Sequence, residues 1–209
     1  KISSFCFITY LKNNLNQDKT LELTTYTEPI IIENIEDVTH RTFKSLFIDS
    51  EYDELHQAIV MYRKNNKKKT VQYLVNRLLV EDNDFQISYE TERANFIGRN
   101  RNTDYPLALA KKDLTNTVGT NIDPVISLRT KVIVPKNSEK IVYFVSGYSK
   151  SKEQIYDILE SYDTTAKINN AFKYVTLANN INTKLLGING PDMRHYNVML
   201  NYLYDSRIS

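Results

Sequence analysis

Tryptophan is absent, cysteine occurs once, histidine three times, and glycine and proline five times each. These scarcities remove whole classes of chemistry. Cys6 has no second cysteine to pair with, so no internal disulfide holds the fold. It sits in the apolar run FCFITY, where it reads as a buried small hydrophobe of a reducing compartment. His40, His56 and His195 stand far apart, and none falls in the spacing of a zinc site. The few glycines are isolated, which excludes Walker and Rossmann phosphate loops, and no GxSxG turn marks a serine nucleophile. No stretch approaches the ~20 apolar residues that span a bilayer, and the first residues lack the pattern of a signal peptide. The chain therefore reads as soluble. Neither sign of charge prevails: 27 Lys and Arg against 25 Asp and Glu leave +2. Such a balance gives no broad field to gather nucleic acid, which is excluded as a partner.

What is present is an ordinary globular composition, 41% hydrophobic and 25% charged over 209 residues. That length supports one domain with a substantial core, or one domain and an appendage. From Ile2 to about Val145 the apolar residues alternate in runs bounded by Asn, Asp, Lys, Gly and Pro, as in successive antiparallel strands. The clearest strands are Ser3 to Leu11, Lys19 to Ile32, Gln57 to Arg63, Thr70 to Val80, Phe85 to Thr91, Ser127 to Val134 and Lys140 to Tyr148. In LELTTYTEPII, Leu21, Leu23, Thr25 and Thr27 share one face; Glu22, Thr24, Tyr26 and Glu28 share the other, which can stay wet. Pro135, Lys136 and Asn137 predict a hairpin between the last two strands. The Lys-rich KNNKKKT from Lys64 predicts a solvated hairpin tip.

After Gly147 the period becomes helical. Ser151 and Gln154 read as a capping box for a helix to about Ser161. Asp163 can cap a longer helix that stops at Gly187, and Pro191 suits the first turn of a third. The apolar positions of that third helix, Met193, Tyr196, Met199, Leu200 and Leu203, predict a partner surface. The expected division is a sandwich over residues 1–148 and a helical linker over 149–209.

Chemistry-bearing residues concentrate in YETERANFIGRNR and NTVGTNIDPVISLR, between Tyr89 and Arg129. Gly98 follows Phe96 and Ile97 and precedes Arg99 and Arg101, which predicts a strand ending in a positive-φ turn flanked by two guanidinium groups. Arg99 and Arg101 admit two readings: structural anchors, or loop residues that bind sugar hydroxyls or phosphate. Asp123, before Pro124, marks a turn and is the third candidate for substrate contact. Arg93 is expected to pair with Glu90 or Glu92, and Arg129 to pack its stem on a strand and pair with an acid. Asp49, Glu51 and Asp53 alternate on one strand face and read as a polar face rather than a catalytic pair, since sequence neighbours do not flank a glycosidic bond. Tyr26, Tyr52, Tyr62, Tyr89 and Tyr105 read mostly as core or half-buried positions, with sugar stacking as the alternative.

Five stretches in order, LELTTYTEPII from Leu21, HRTFKSLFIDSEY from His40, YETERANFIGR from Tyr89, DPVISLR from Asp123 and LLGI from Leu185, resemble glycoside phosphorylases of glycoside hydrolase family 94, and most of all the phosphorylase-like region of cyclic β-1,2-glucan synthases. The resemblance implies a mainly β fold, a large antiparallel β-sandwich of galactose-mutarotase-like super-sandwich type, followed by an α-helical linker. In such enzymes an (α/α)₆ barrel comes next and carries the catalytic acid. The chain opens on a strand-like run without an initiator methionine and closes on YLYDSRIS after a helical pattern, so it is expected to be a fragment that lacks its first strands and the barrel. No catalytic residue, cofactor or metal is expected in it; inorganic phosphate is the cosubstrate of the parent if that is a phosphorylase. The implied role is a non-catalytic carbohydrate-binding or scaffold module of a bacterial enzyme acting on β-glucan oligosaccharides. The alternatives are a fragment of a free-standing β-1,2-oligoglucan or cellobiose-type phosphorylase, or a homodimerisation module without sugar binding. The implied location is the cytoplasmic side, with a membrane anchor possible only through other segments of the parent.

Overall fold

The computed structural model describes residues 3–31, 47–65, 70–81 and 85–204. His40, Ile32, residues 66–69 of the Lys-rich stretch expected to be a hairpin tip, and the final residues after Tyr204 lie outside the described residues. Among the described residues there are nine strands: β1 (Ser3–Lys12), β2 (Lys19–Thr24), β3 (Ile48–Asp53), β4 (Ala58–Asn65), β5 (Thr70–Val80), β6 (Ser88–Glu92), β7 (Gly119–Thr120), β8 (Pro124–Val134) and β9 (Glu139–Ser149); all but β3 and β7 overlap the seven strands expected from the sequence. They form two sheets, one in the order β1-β9-β5-β4-β3-β7 and the other in the order β2-β8-β6, and the pairs are antiparallel. This is the expected antiparallel sandwich.

The core lies between the sheets because side chains alternate across each strand. Ile59 and Met61 of β4, Leu78 and Val80 of β5, and Ile126, Leu128, Val132 and Val134 of β8 are all buried in one cluster. Tyr52 on β3 stacks on Tyr89 of β6 with centroids 3.9 Å apart and rings 16° from parallel, so an aromatic pair ties the sheets together. Burial raises the Tyr52 phenol pKa to about 12. At the β1 end the face is thinner: Phe5 and Phe7 are more than half exposed and touch edge to face at 5.8 Å. Cys6 is half-buried rather than sealed, and burial still lifts its thiol to about 11.

Two expectations about the strands need correction. The Pro135–Asn137 turn is real, with Asn137 at φ 50, yet β8 and β9 do not pair. β8 lies in the three-stranded sheet and β9 in the six-stranded one, so the turn crosses the sandwich instead of closing a hairpin. The hairpin between β4 and β5 is found, with Asn65 opposite Thr70. The supposed strand from Lys19 ends at Thr24, after which Thr27 makes only an isolated bridge to Ile126.

The chain divides into two compact units, one through Thr165 and the other from Ala166. The first takes in α1 (Arg93–Ile97), a 3-10 turn at Leu107–Ala110, and α2 (Lys152–Ser161). α2 covers the outer face of the six-stranded sheet, burying Ile155, Ile158 and Leu159. Gly147 permits this approach: a Cβ there would stand 2.9 Å from Ile158 and 3.1 Å from Val75. The buried Arg77 donates from Nη1 to the Leu159 and Tyr162 carbonyls at 3.3 and 3.4 Å, which offsets the negative end of the helix. The capping box is not formed as the sequence suggests, because Gln154 pairs with the Ser149 hydroxyl and Ser151 makes no side-chain cap.

The second unit holds the rest of α3 (Thr165–Leu185) and α4 (Gly190–Tyr204). Gly187 at φ 66 ends the first of these, and Asn189 and Asp192 exchange side-chain to backbone bonds of 3.0 and 3.1 Å at the start of the second. Met193, Tyr196 and Met199 are exposed there.

Replacing Gly147 with Val should cost about 1–3 kcal/mol, because the added methyls must push Ile158 or Val75 out of place. Urea denaturation would register this as a lower midpoint with an unchanged slope; an unaltered midpoint would show that α2 does not need this close seat.

Candidate functional site

The segment from β6 to β8 gathers most of the predicted site residues at one end of the three-stranded sheet. β6 carries a register shift between Glu90 and Glu92, so Thr91 turns inward. Its hydroxyl donates to the Thr117 carbonyl at 2.8 Å and accepts from the Asn121 amide at 2.7 Å, with Ser50 Oγ at 3.0 Å. Glu90 folds back beside it, 1% exposed. One carboxylate oxygen accepts from the N–H groups of Thr91 and Glu92 at 2.9 and 2.8 Å, and the other from the Thr115 hydroxyl. Burial raises the Glu90 pKa above its usual value, against the lowering effect of the Glu92 and Thr91 backbone donors and the Asn95 side chain.

The chain then enters α1 rather than continuing as a strand to Gly98, which corrects the sequence reading of YETERANFIG. The five residues give no usable helical period, and tertiary contacts hold them. Phe96 and Ile97 are buried with Ala108, Leu114 and Val125, and Tyr26 lies over Phe96 at 4.8 Å. Arg93 pairs not with Glu90 or Glu92 but with Glu28 at 3.3 Å and Asp123 at 3.7 Å, and its N–H donates to the Asp123 carbonyl at 2.9 Å. Tyr26 donates to the same Glu28 at 2.7 Å, and burial foremost, with Glu28 beside it, raises its pKa to about 12. Asp123 therefore sits in an exposed ion-pair cluster that fixes the start of α1.

Gly98 closes α1 at φ 84 and ψ 164, a region open essentially to glycine alone. A Cβ there would lie 2.7 Å from the Leu107 Cβ. Beyond it Arg99 and Arg101 lie exposed on a loop, with Asn100 between them at φ 59. Asn102 accepts from the N–H groups of Asp104 and Tyr105 at 3.1 and 3.2 Å, forming a side-chain-closed turn. Tyr105 at its tip is 79% exposed, unlike the half-buried Tyr26, Tyr52, Tyr62 and Tyr89. Thus Arg99 and Arg101 share one projecting loop, whereas Asp123 stands at the other end of α1 and already has a cationic partner.

Arg129 anchors the far side of the loop. Its guanidinium, 2% exposed, donates to the carbonyls of Lys111 and Ala108 at 2.7 and 2.9 Å and to Thr24 Oγ1 at 2.8 Å, with Glu22 at 3.4 Å. The expected acid partner is present; the two carbonyls are long-range partners that local spacing does not reveal. Asp49, Glu51 and Asp53 do share an outer strand face and each has a partner. Asp49 accepts from the Thr120 hydroxyl, Glu51 pairs with Lys152 at 2.6 Å, and Asp53 accepts from the His56 backbone at 2.8 Å, with the His56 ring at 3.1 Å. The His56 bonds hold the Asp53 carboxyl below its ordinary value despite the opposing effect of burial. Among the described residues no group of His, Cys, Asp or Glu is arranged to hold a metal ion.

The family model of the glycosyl hydrolase 94 supersandwich domain matches residues 8–165. The chain belongs to that family. The chain is also similar to the cyclic beta-(1,2)-glucan synthase NdvB of Rhizobium meliloti (strain 1021), 24% identical over 197 residues. That alignment covers 92% of this chain and 7% of the relative, so the chain spans a small part of the relative's length. The helix α2 falls inside the matched range, consistent with its seat on the sandwich.

Removing the Glu90 carboxylate in Glu90→Ala would leave two buried N–H donors unmatched and should cost the domain about 1–3 kcal/mol. Glu90→Gln keeps the acceptor and should fold near normally. Because the folded pKa of Glu90 is raised, its contribution is fully present below the ordinary 4.5 and is lost as pH rises through the raised value. Stability measured from acid towards neutral pH should therefore fall less in Glu90→Gln than in the parent; parallel curves would count against the raised pKa.

Proposed function

We propose that this domain is an ancillary module of an enzyme acting on β-linked glucans, and that its Gly98–Tyr105 loop meets sugar or phosphate at a catalytic centre supplied elsewhere in the polypeptide. The observation that carries this reading is the contrast within the loop. Both ends are fixed, by Gly98 against Leu107 and by Arg129 on the Ala108 and Lys111 carbonyls. The side chains of Arg99, Arg101 and Tyr105 are nevertheless exposed. Fixed backbone with free donors lowers the ordering cost of binding, and guanidinium forks suit hydroxyl pairs and phosphate oxygens alike.

Glu90 supports the placement of catalysis elsewhere. An inverting phosphorylase needs one carboxylic acid to protonate the leaving oxygen while phosphate attacks the anomeric carbon. Glu90 has a raised pKa, as such an acid would, but is sealed from solvent with both oxygens engaged. Because the relative is named as a cyclic beta-(1,2)-glucan synthase, β-1,2-linked oligosaccharide is the ligand to try first, with inorganic phosphate as the candidate cosubstrate. A second reading, an assembly surface, is favoured by the exposed Phe5 and Phe7 on the outermost strand β1.

Calorimetric titration with β-1,2-gluco-oligosaccharides and with phosphate should show binding without turnover, weakened at least about tenfold in the Arg99→Ala/Arg101→Ala double variant. Silence toward both ligands, with a mass that doubles on concentration, would favour the assembly reading. Phosphorolysis by the chain alone would overturn the placement of the acid elsewhere.

A further inference from the structure

β6 pairs with β8 only as far as Ser88 opposite Arg129, yet β8 continues to Val134 with β2 still along its other side. Phe85, Gln86 and Ile87 lead into β6 without joining a ladder, and beside the freed edge of β8 a cavity of about 700 Å³ opens. That volume is in the usual range for small-molecule sites. Its lining residues include Gln86, Lys112, Asp113 and Lys131, together with Phe85. No hydrogen bond or ion pair engages those four polar side chains among the described residues.

The chemistry of the lining selects the ligand. Arg129 also lines the cavity, but its guanidinium is engaged by two carbonyls, the Thr24 hydroxyl and Glu22, which leaves the Lys112 and Lys131 ammonium groups beside the Asp113 carboxylate to meet a ligand. Sugar hydroxyls, which donate and accept at once, match an amide, a carboxylate and ammonium groups together. Phe85 adds an apolar face of the kind on which the C–H side of a pyranose ring can pack. We propose that this cavity is a glycan subsite, separate from the Arg99 loop, that holds a short stretch of neutral glucan. The ligand class rests on the functional reading above, while the site rests on the cavity and its unengaged polar groups.

Amide chemical-shift mapping of the chain with β-1,2-gluco-oligosaccharide tests it. Saturable shifts are expected at Gln86, Lys112 and Lys131, with affinity at least about tenfold weaker in Gln86→Ala/Lys131→Ala. Both of these residues are exposed, so the variant should fold. Arg99→Ala/Arg101→Ala should leave those shifts in place. Shifts confined to residues 99–105 would overturn the cavity site while leaving the proposed function standing, and no shifts at all would overturn both. Saturation of the cavity residues by inorganic phosphate, without response to the sugar, would reassign it as an anion site and overturn the proposal.

Discussion

The central strand of the smaller sheet serves two interiors, and the rest of the domain is arranged around that demand. Ile126, Leu128, Val132 and Val134 of β8 face the core between the sheets, while Val125 joins the small cluster beneath α1 and Arg129 points to the same outer side. A sheet strand that is wet on one face needs only alternating residues. β8 is instead buried on seven consecutive positions, from Pro124 to Thr130. The charge of Arg129 is tolerable on that outer side only because carbonyl, hydroxyl and carboxylate oxygens surround it. The bond that satisfies the guanidinium is thus the same one that pins the 3-10 turn and the base of the exposed loop.

β5, β8 and β9 were legible as strands because each is a long run rich in β-branched and aromatic residues that contributes to a continuous core. β3 was harder to read as a strand. Its outer positions are Asp49, Glu51 and Asp53, and the groups that make this face compatible with burial, Lys152 and Tyr156, arrive from α2 a hundred residues later. The partners of Arg93, Glu28 and Asp123, are equally remote, so an ETER spacing rule chose the nearest acids instead. Pro135 and Asn137 encode a reversal of the chain, but local turn chemistry does not specify which sheet receives the next strand. At Gly98 the sequence disclosed a positive φ; the contact with Leu107, which makes glycine necessary there, depends on the fold.

The polar groups of the domain fall into two populations, and the division is informative about function. Around Thr91 the donors and acceptors of Ser50, Glu90, Thr117 and Asn121 satisfy one another in a region shielded from water, where an unmatched group would be costly. Such groups build shape and have little left to offer a ligand. On the Arg99 loop and along the open edge of β8 the reverse holds: the backbone is fixed by neighbours, while the side-chain donors and acceptors remain available. Binding at either place would need less ordering than binding to a mobile surface. Under the proposed reading, the rigid sheets would set the spacing of a bound chain of hydroxyl groups and the unengaged side chains would supply the bonds.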